Sequence, residues 1–232
     1  MRSVKAIFAK QAKDMLKNPA VLIMFIIFPA VALIMTVFVT IPENEYVSGN
    51  MFVTMMASIF AGMGLISSAS AVISEDIAGK SLRFLVISGV KPHHYLLGTG
   101  GFYLLAGAVT SVIFNLIGGF SGMEALKFLS VMVTGSAASI VLGMLFGSLA
   151  GNQQAAASLS MPVAVIVGFT PMIAGFNETV EKAAGVLYTQ QINVIVNDFS
   201  ENLVKPLLVI AGNIAVFTVL FVIAYKKKGL KG

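Results

Sequence analysis

Cysteine and tryptophan are absent from the 232 residues, and charged side chains make up only 11% of them. Without cysteine, the chain can form neither a disulfide framework nor a thiolate metal site. The two histidines, His93 and His94, are adjacent, so the helical spacing of a paired-histidine zinc site is missing as well. A soluble domain carries about 25% charged residues to cover its surface. A chain this poor in charge, with 57% hydrophobic residues and a mean hydropathy of +0.93, must expose much of its exterior to lipid.

Six stretches are long and apolar enough to cross a bilayer as helices, which takes about 20 residues each. They lie at residues 20–41, 53–73, 95–120, 128–150, 156–176 and 206–225. The first is too long for the core of a signal peptide and follows a basic segment without an obvious cleavage site, so we predict a retained helix. The sequence therefore predicts an all-α integral membrane protein, with residues 1–232 in a single transmembrane domain.

Basic residues are distributed unequally between the two sides of the predicted membrane domain. Of the 15 lysines and arginines, only Lys127, Lys182 and Lys205 fall in loops on one side. The others lie in the amino-terminal segment, the loop near 74–94 and the basic tail at 226–232, which share the opposite side. Because basic loops stay in the cytoplasm, we expect both termini to be cytoplasmic and the protein to lie in the cell membrane. The net charge of +5 thus reflects topology, and no nucleic-acid partner is expected.

Residues 1–18 precede the first span and show the pattern of an amphipathic helix. Apolar residues recur at i, i+3 and i+4, whereas Lys10, Lys13 and Lys17 collect on the opposite face. Such a helix is expected in the membrane interface on the cytoplasmic side, and Asn18-Pro19 ends it. Two interpretations remain open, a simple basic anchor and a surface on which a partner docks.

The predicted cytoplasmic loop at 74–98 combines a dense charge cluster with apolar residues, which is typical of a short structured segment. Within it, Gly79-Lys80-Ser81 resembles the end of a phosphate-binding P-loop. The first glycine of that motif is replaced by Ser74, and the preceding element is a membrane helix rather than a strand. We therefore expect no nucleotide site in this chain.

The fourth and fifth spans contain residues that affect helix packing. Gly143, Gly147 and Gly151 recur every four residues, a spacing that lets two helices approach closely in lipid, within one chain or in a dimer. Pro162 and Pro171 each remove a helical hydrogen bond from the fifth span. These prolines favour a kinked or re-entrant segment near a pathway, although plain kinked packing is equally compatible with them.

Ionisable residues are missing from the depth of all six predicted spans. Proton- and ion-coupled carriers commonly place such groups there, and an enzyme needs polar groups that converge in a pocket. The sequence therefore argues against a proton antiporter or an intramembrane enzyme, and the energy for any transport must come from outside this chain. Between the last two spans, residues 178–200 predict an external helix that lies against the outer leaflet or covers a cavity.

These features, in this order on six spans, resemble the permease subunits of ABC-2-type ATP-binding cassette exporters. The similar parts are the basic amphipathic lead into Asn18-Pro19, the loop Glu75-Asp76-x-x-Gly79-Lys80-x-Leu82-x-x-Leu85 with Gly89-x-x-Pro92 and Gly98 after it, and Asn152-Gln153-Gln154-Ala155 before the proline-containing fifth span. The chain departs from the family at Lys80-Ser81, where a Gly-Thr pair is usual. The short loop near 43–50 excludes the members with a large external domain.

The resemblance implies that two permease subunits, identical or related, pair with two cytoplasmic ATPase subunits. The ATPases would bind ATP and magnesium, while this chain would bind no cofactor or metal and catalyse no reaction. The loop after the second span and the amino-terminal helix would contact the ATPases, and the path would lie between the permeases along the second and fifth spans. The coupling contact implied in this way comprises Glu75, Asp76, Gly79, Lys80 and Leu82, with Lys10, Lys13 and Lys17.

The function expected from the resemblance is outward transport by alternating access. The apolar spans and the methionines of the expected lining favour a hydrophobic or amphipathic cargo, such as a drug, a lipid-like molecule or a peptide, over a sugar polymer. An alternative is a membrane scaffold, regulatory or immunity subunit that transports nothing. Flux into vesicles distinguishes the two, because only the exporter accumulates cargo.

Overall fold

The structure is a computed structural model and describes residues 2–39, 50–199 and 202–231. Helices make up nearly all of these residues. They are α1 (Arg2–Lys17), α2 (Pro19–Phe38), α3 (Met51–Ala78), α4 (Ser81–Ile87), α5 (Pro92–Gly118), α6 (Gly122–Leu149), α7 (Gln153–Ala174), α8 (Glu178–Ala184), α9 (Tyr188–Asn197) and α10 (Val204–Lys231). No strand occurs within these ranges.

Six of these helices, α2, α3, α5, α6, α7 and α10, are long and apolar enough to cross a membrane. This confirms the predicted all-α fold with six spans. Several spans are longer than predicted, because polar or small residues at their ends continue the helix; α6, for example, already begins at Gly122. The predicted end of the first span, at residues 40 and 41, and most of the loop near 43–50 lie outside the described residues.

Asparagine side chains cap the amino ends of three of the helices. The Asn18 side chain accepts a hydrogen bond from the Val21 backbone N–H at 3.4 Å, and Pro19 follows it in the first turn, where a missing N–H costs no helical bond. Asn152 caps α7 by accepting from the Ala155 N–H at 2.8 Å, and Asn177 caps α8. The asparagines quoted in the sequence pattern therefore have a local structural role.

The second and fourth spans, α3 and α6, form the centre of the bundle. Within its apolar window, 78% of α3 is buried and 72% of α6, whereas the buried share is between 17% and 33% in the other four spans. The outer spans leave large apolar side chains such as Ile26, Leu116 and Leu208 exposed. Such an exterior suits lipid, which needs no polar covering.

Gly143 and Gly147 lie where α6 crosses α3. A Cβ atom at Gly143 would lie 2.4 Å from the Ile66 carbonyl oxygen, and one at Gly147 would lie 2.4 Å from the Ser70 carbonyl oxygen. The two backbones can approach so closely only because no side chain stands between them. Gly151, the third glycine of the pattern, lies beyond the end of α6 in open space. Its role in a dimer stays a prediction.

The segment at 178–200, expected as one external helix, forms two helices instead. A turn after Ala184 separates α8 from α9, and Leu187 in that turn has an extended backbone. The short helix α9 is mostly buried and contacts α3, α6, α7 and α10, and its Tyr188 hydroxyl accepts a hydrogen bond from the Ser139 hydroxyl at 2.8 Å. After this turn, α9 packs inside the bundle and buries its apolar side chains, whereas α8 is largely exposed.

Candidate coupling site at the basic end of the bundle

Several segments meet at one end of the bundle, which we name the basic end. It comprises α1, the last turn of α3, α4, the first turns of α5 and the last turns of α10. The helix α1 contacts α2 and the beginning of α5, and the end of α10 contacts α4 and the beginning of α5. Most of the lysines and arginines assigned to one side by the sequence lie on these segments.

Asp76, in the last turn of α3, is the buried centre of this end, with only 4% of the residue exposed. Its carboxylate accepts hydrogen bonds from the Tyr95 hydroxyl at 2.6 Å and from the Gln11 amide at 3.2 Å. The Lys10 ammonium forms an ion pair with it at 2.5 Å. A buried carboxylate is costly unless it is paired and hydrogen-bonded, and three donors from α1 and α5 meet that requirement here.

Lys10 is partly exposed and links the buried Asp76 to a second, more exposed carboxylate. Its ammonium also contacts the Asp14 carboxylate at 3.0 Å, one turn further along α1. Burial lowers the pKa of Lys10, but the hydrogen bonds and charges of Asp76 and Asp14 raise it more, so the pKa lies above its usual 10.5. Lys10 is therefore charged at neutral pH and holds α1 against α3.

The backbone geometry of α5 also favours the docking of α1. A π turn at Leu96–Gly100 widens α5 where α1 crosses it. A Cβ atom at Gly98 in this turn would lie 2.7 Å from the Ile7 side chain, so only glycine lets α1 come this close. On α1, Ile7, Gln11 and Met15 form the buried face. The helix α1 thus packs on protein along this face, and its position in a membrane interface stays a prediction.

A polar cavity of about 240 Å³ opens beside Asp76. It is lined by Lys10, Gln11, Asp14, Met15, Asn18, Val21, Val72, Glu75, Asp76, Gly79, Ser81 and Tyr103. Water can therefore reach the contact between α1 and α3 from this end. Among the residues that the structure describes, no group of three histidine or carboxylate side chains could hold a metal ion.

The residues that the resemblance implied for a partner contact fall into an exposed group and a buried group. Glu75, Gly79 and Lys80 are exposed, and Lys80 has a left-handed backbone (φ 59°) that turns the chain from α3 into α4. Lys13 and Lys17 are exposed on α1. Asp76 and Leu82 are instead buried inside the chain, where their side chains contact this protein's own helices.

Sequence reasoning missed other residues of this end. Gln11 is 1% exposed although it stands among lysines, and only its i+4 spacing from Ile7 and Met15 could have placed it on the buried face. Tyr95 gave no signal, because its partner Asp76 lies on another helix. Phe84 was counted among the apolar residues that predict a structured segment, yet it is 69% exposed on α4, and Ile87 on the same helix is 71% exposed. Because α4 lies outside the six spans, these exposed apolar side chains make it a candidate contact surface for a partner or for the membrane interface.

A second, larger cavity of about 590 Å³ lies between α2, α3 and α7, near the basic end. It is lined by Asn18, Val21, Met24, Ser67, Ser68, Ala71, Gln153, Gln154, Ala157, Ser160 and Met161. Pro162, on α7, follows Met161 and is exposed, whereas Pro171 is buried near the other end of the same helix. The helix α7 runs through both prolines without interruption, so it is not re-entrant.

A family model described as ABC-2 type transporter matches residues 2–177 of this chain. The match covers more than half of the chain and includes α1, the first five spans and the basic end apart from α10. The chain therefore belongs to the ABC-2 type transporter family and is the membrane-spanning permease component of an ABC transporter, not its ATPase. Membership implies an ATPase partner subunit. No curated protein matches the chain significantly.

Proposed function

We propose that this permease exports a hydrophobic or amphipathic substrate, together with a second permease subunit and two ATPase subunits. The cavity between α2, α3 and α7 is the observation that carries this proposal. Its lining combines methionine, alanine and valine with serine and amide side chains, and it has no charged residue. A pocket that is mostly apolar with a few polar groups suits a molecule that is itself amphipathic.

The basic end would face the cytoplasm, with both termini there, because lysine and arginine are retained on that side. The cavity would then be the inward-facing part of the path, reached from the cytoplasm or from the inner leaflet. Alternating access requires that the helices around it take a second arrangement that opens outward. Pro162 would provide a flexible point in α7 beside the cavity, because a proline interrupts the hydrogen bonds of a helix.

The ATPase would bind the exposed side of α4 and the turn before it. This surface carries Glu75 in the last turn of α3, Lys80 in the turn, and Arg83, Phe84 and Ile87 on α4. Interfaces of this kind use arginine and aromatic side chains as anchors. The exposed lysines Lys13 and Lys17 on α1 would extend the same surface.

Asp76 would transmit a movement of α4 to the membrane spans rather than touch the ATPase. It lies at the end of α3, directly before the turn into α4, and it binds α1 and α5 through Lys10, Gln11 and Tyr95. A displacement of α4 would therefore move three helices together. Rigid coupling of this kind is what a cytoplasmic motor needs to act on a distant path.

Vesicles that contain the permease with its ATPase test this function. We expect ATP-dependent accumulation of fluorescent amphipathic dyes in inside-out vesicles, and none with a hydrolysis-deficient ATPase. Ala157→Trp would fill the cavity and abolish accumulation, whereas the control Ala211→Trp, on an exposed position of α10, would leave it unchanged. Equal flux in the Ala157→Trp variant would exclude this path. Absence of flux for every cargo would favour the alternative of a scaffold or regulatory subunit.

A further inference from the structure

Two basic segments that are distant in the sequence meet at the basic end. The rings of Tyr95 and Tyr225 lie 5.7 Å apart, and both residues are almost completely buried. Tyr95 directly follows His93 and His94, and Tyr225 directly precedes Lys226 and Lys227. This aromatic contact therefore holds the start of α5 beside the end of α10. We name the exposed lysines beside this contact, Lys91, Lys226 and Lys227, the basic corner.

The lysines of the basic corner take part in none of the ion pairs found among the described residues. No aspartate or glutamate occurs in residues 77–123 or 202–232, which include α4, α5 and α10. Asp76 interacts electrostatically with Tyr225, but the charge of Asp76 is already neutralised by Lys10. The ion pairs found among the described residues both involve Lys10. Lys91, Lys226 and Lys227 are exposed, so their ammonium groups are accessible to an anionic group of another molecule.

The position of the basic corner indicates which molecule this is. Lys91 directly precedes the span Pro92–Gly118, and Lys226 and Lys227 lie near the end of α10. In a membrane crossed by these two spans, the three lysines would stand at headgroup depth. Exposed apolar side chains follow towards the membrane centre, Leu97 on α5 and Ile223 on α10. Ile223 shares a helix face with Lys226 and Lys227 because it lies three and four residues before them. A cationic cluster above an apolar surface matches an anionic headgroup with its acyl chains.

We infer that the basic corner binds the headgroup phosphate of an anionic phospholipid, with the acyl chains against Leu97 and Ile223. The site is distinct from the proposed cavity and from the ATPase surface of α4. A bound lipid would neutralise Lys91, directly before α5, together with Lys226 and Lys227 on α10. It would thereby hold together the two spans that meet through Tyr95 and Tyr225.

The absence of tryptophan makes a direct measurement possible. We would introduce Leu97→Trp as the single tryptophan in the full chain and reconstitute it in phosphatidylcholine vesicles with increasing phosphatidylglycerol. Either lipid carries brominated acyl chains, which quench nearby tryptophan. We expect brominated phosphatidylglycerol to quench at least about fivefold more effectively than brominated phosphatidylcholine, since each lysine near the surface attracts anionic lipid. Leu116→Trp, which is exposed at the other end of α5, would show no such preference.

The charge dependence of the preference tests the assignment. The triple variant Lys91→Gln, Lys226→Gln and Lys227→Gln should abolish this preference, so that the two brominated lipids quench Leu97→Trp about equally. The matched control replaces the exposed Lys5, Lys182 and Lys205 by glutamine, which removes the same charge elsewhere and should leave the preference intact. Equal loss in the control would overturn the inference in favour of diffuse attraction. An unchanged preference in the corner variant, or loss of ATPase co-purification instead, would also overturn it.

Discussion

The Thr189 hydroxyl, on α9, donates a hydrogen bond to the backbone carbonyl oxygen of Val167, on α7, at 2.7 Å. Val167 lies four residues before Pro171, so its carbonyl is the one that a proline at 171 leaves without a helical donor. Thr189 is completely buried and supplies the missing hydrogen bond from outside the helix. Inside a membrane such a break persists where protein satisfies the freed group. Pro171 therefore has a structural role at the contact of α7 with α9.

This relationship predicts a coupled effect on stability. Thr189→Val should lower the free energy of unfolding by about 1–3 kcal/mol, because it leaves a buried carbonyl without a partner. In a Pro171→Ala background the same change should cost about 1 kcal/mol less, since alanine restores the helical N–H donor. Reversible unfolding in mixed micelles, followed by helical circular dichroism, measures both. Thr134→Val is the control, because its hydroxyl bonds carbonyls within α6 that helical N–H groups also serve. Equal costs in both backgrounds would contradict the account.

The two carboxylates that contact Lys10 should differ in importance. Asp76→Asn removes a buried charge that three donors stabilise, and we expect it to lower the free energy of unfolding by about 2–4 kcal/mol. Asp14→Asn removes a half-exposed ion pair at the same lysine and should cost about 0.5 kcal/mol or less. Reversible unfolding in mixed micelles measures the free energy of unfolding of both variants. If the two variants lost equal stability, Asp76 would not be the centre of the basic end.

The glycines of α6 should be sensitive to substitution in a graded way. Gly143→Ala should destabilise the protein by about 1–3 kcal/mol or more, because the added methyl group would overlap the backbone of α3. Gly151→Ala, in open space beyond the helix, should change the free energy of unfolding by less than about 0.5 kcal/mol. A dimer contact at Gly151 would instead appear as a shift of oligomeric state in that variant.

The exposed side of α4 should determine the affinity for the ATPase. Phe84→Ala should weaken association about tenfold, as expected for the loss of an aromatic anchor, without a change in thermal stability. Phe176→Ala is a matched control, because Phe176 is 78% exposed just beyond α7, at the other end of the bundle. Quantitative pull-down of the ATPase with each variant measures the effect. Equal recovery of the ATPase with both variants would place the contact elsewhere.

The six spans could be predicted from the sequence, because apolar length is a local property that the bilayer makes decisive. The start of α2 at Asn18-Pro19 could also be predicted, since a cap and a proline act within one turn. The fifth span was instead predicted to begin at residue 156, whereas Asn152 caps α7 and the helix already begins at Gln153. Gly143 and Gly147 were recognised by their spacing, although the spacing did not say which helix they would contact.

The arrangement of the basic end could not be predicted, because its contacts join residues that are far apart in the sequence. Asp76 binds Lys10 and Gln11 across more than 60 positions, and no local pattern separates this buried aspartate from the exposed Glu75 beside it. The division of 178–200 into α8 and α9 was missed for a related reason. An amphipathic pattern identifies the buried face of a helix. The position of the turn between α8 and α9 depends on contacts with other helices of the bundle, which the local pattern does not contain.

The central claim is that this permease works with an ATPase, and purification from its own membranes tests it most directly. The tagged chain would be isolated in mild detergent, its co-purifying proteins identified, and ATP hydrolysis assayed. The account predicts a stoichiometric ABC ATPase subunit and hydrolysis that disappears when the permease is produced alone. A single inactive chain, recovered cleanly from several gentle detergents, would contradict it.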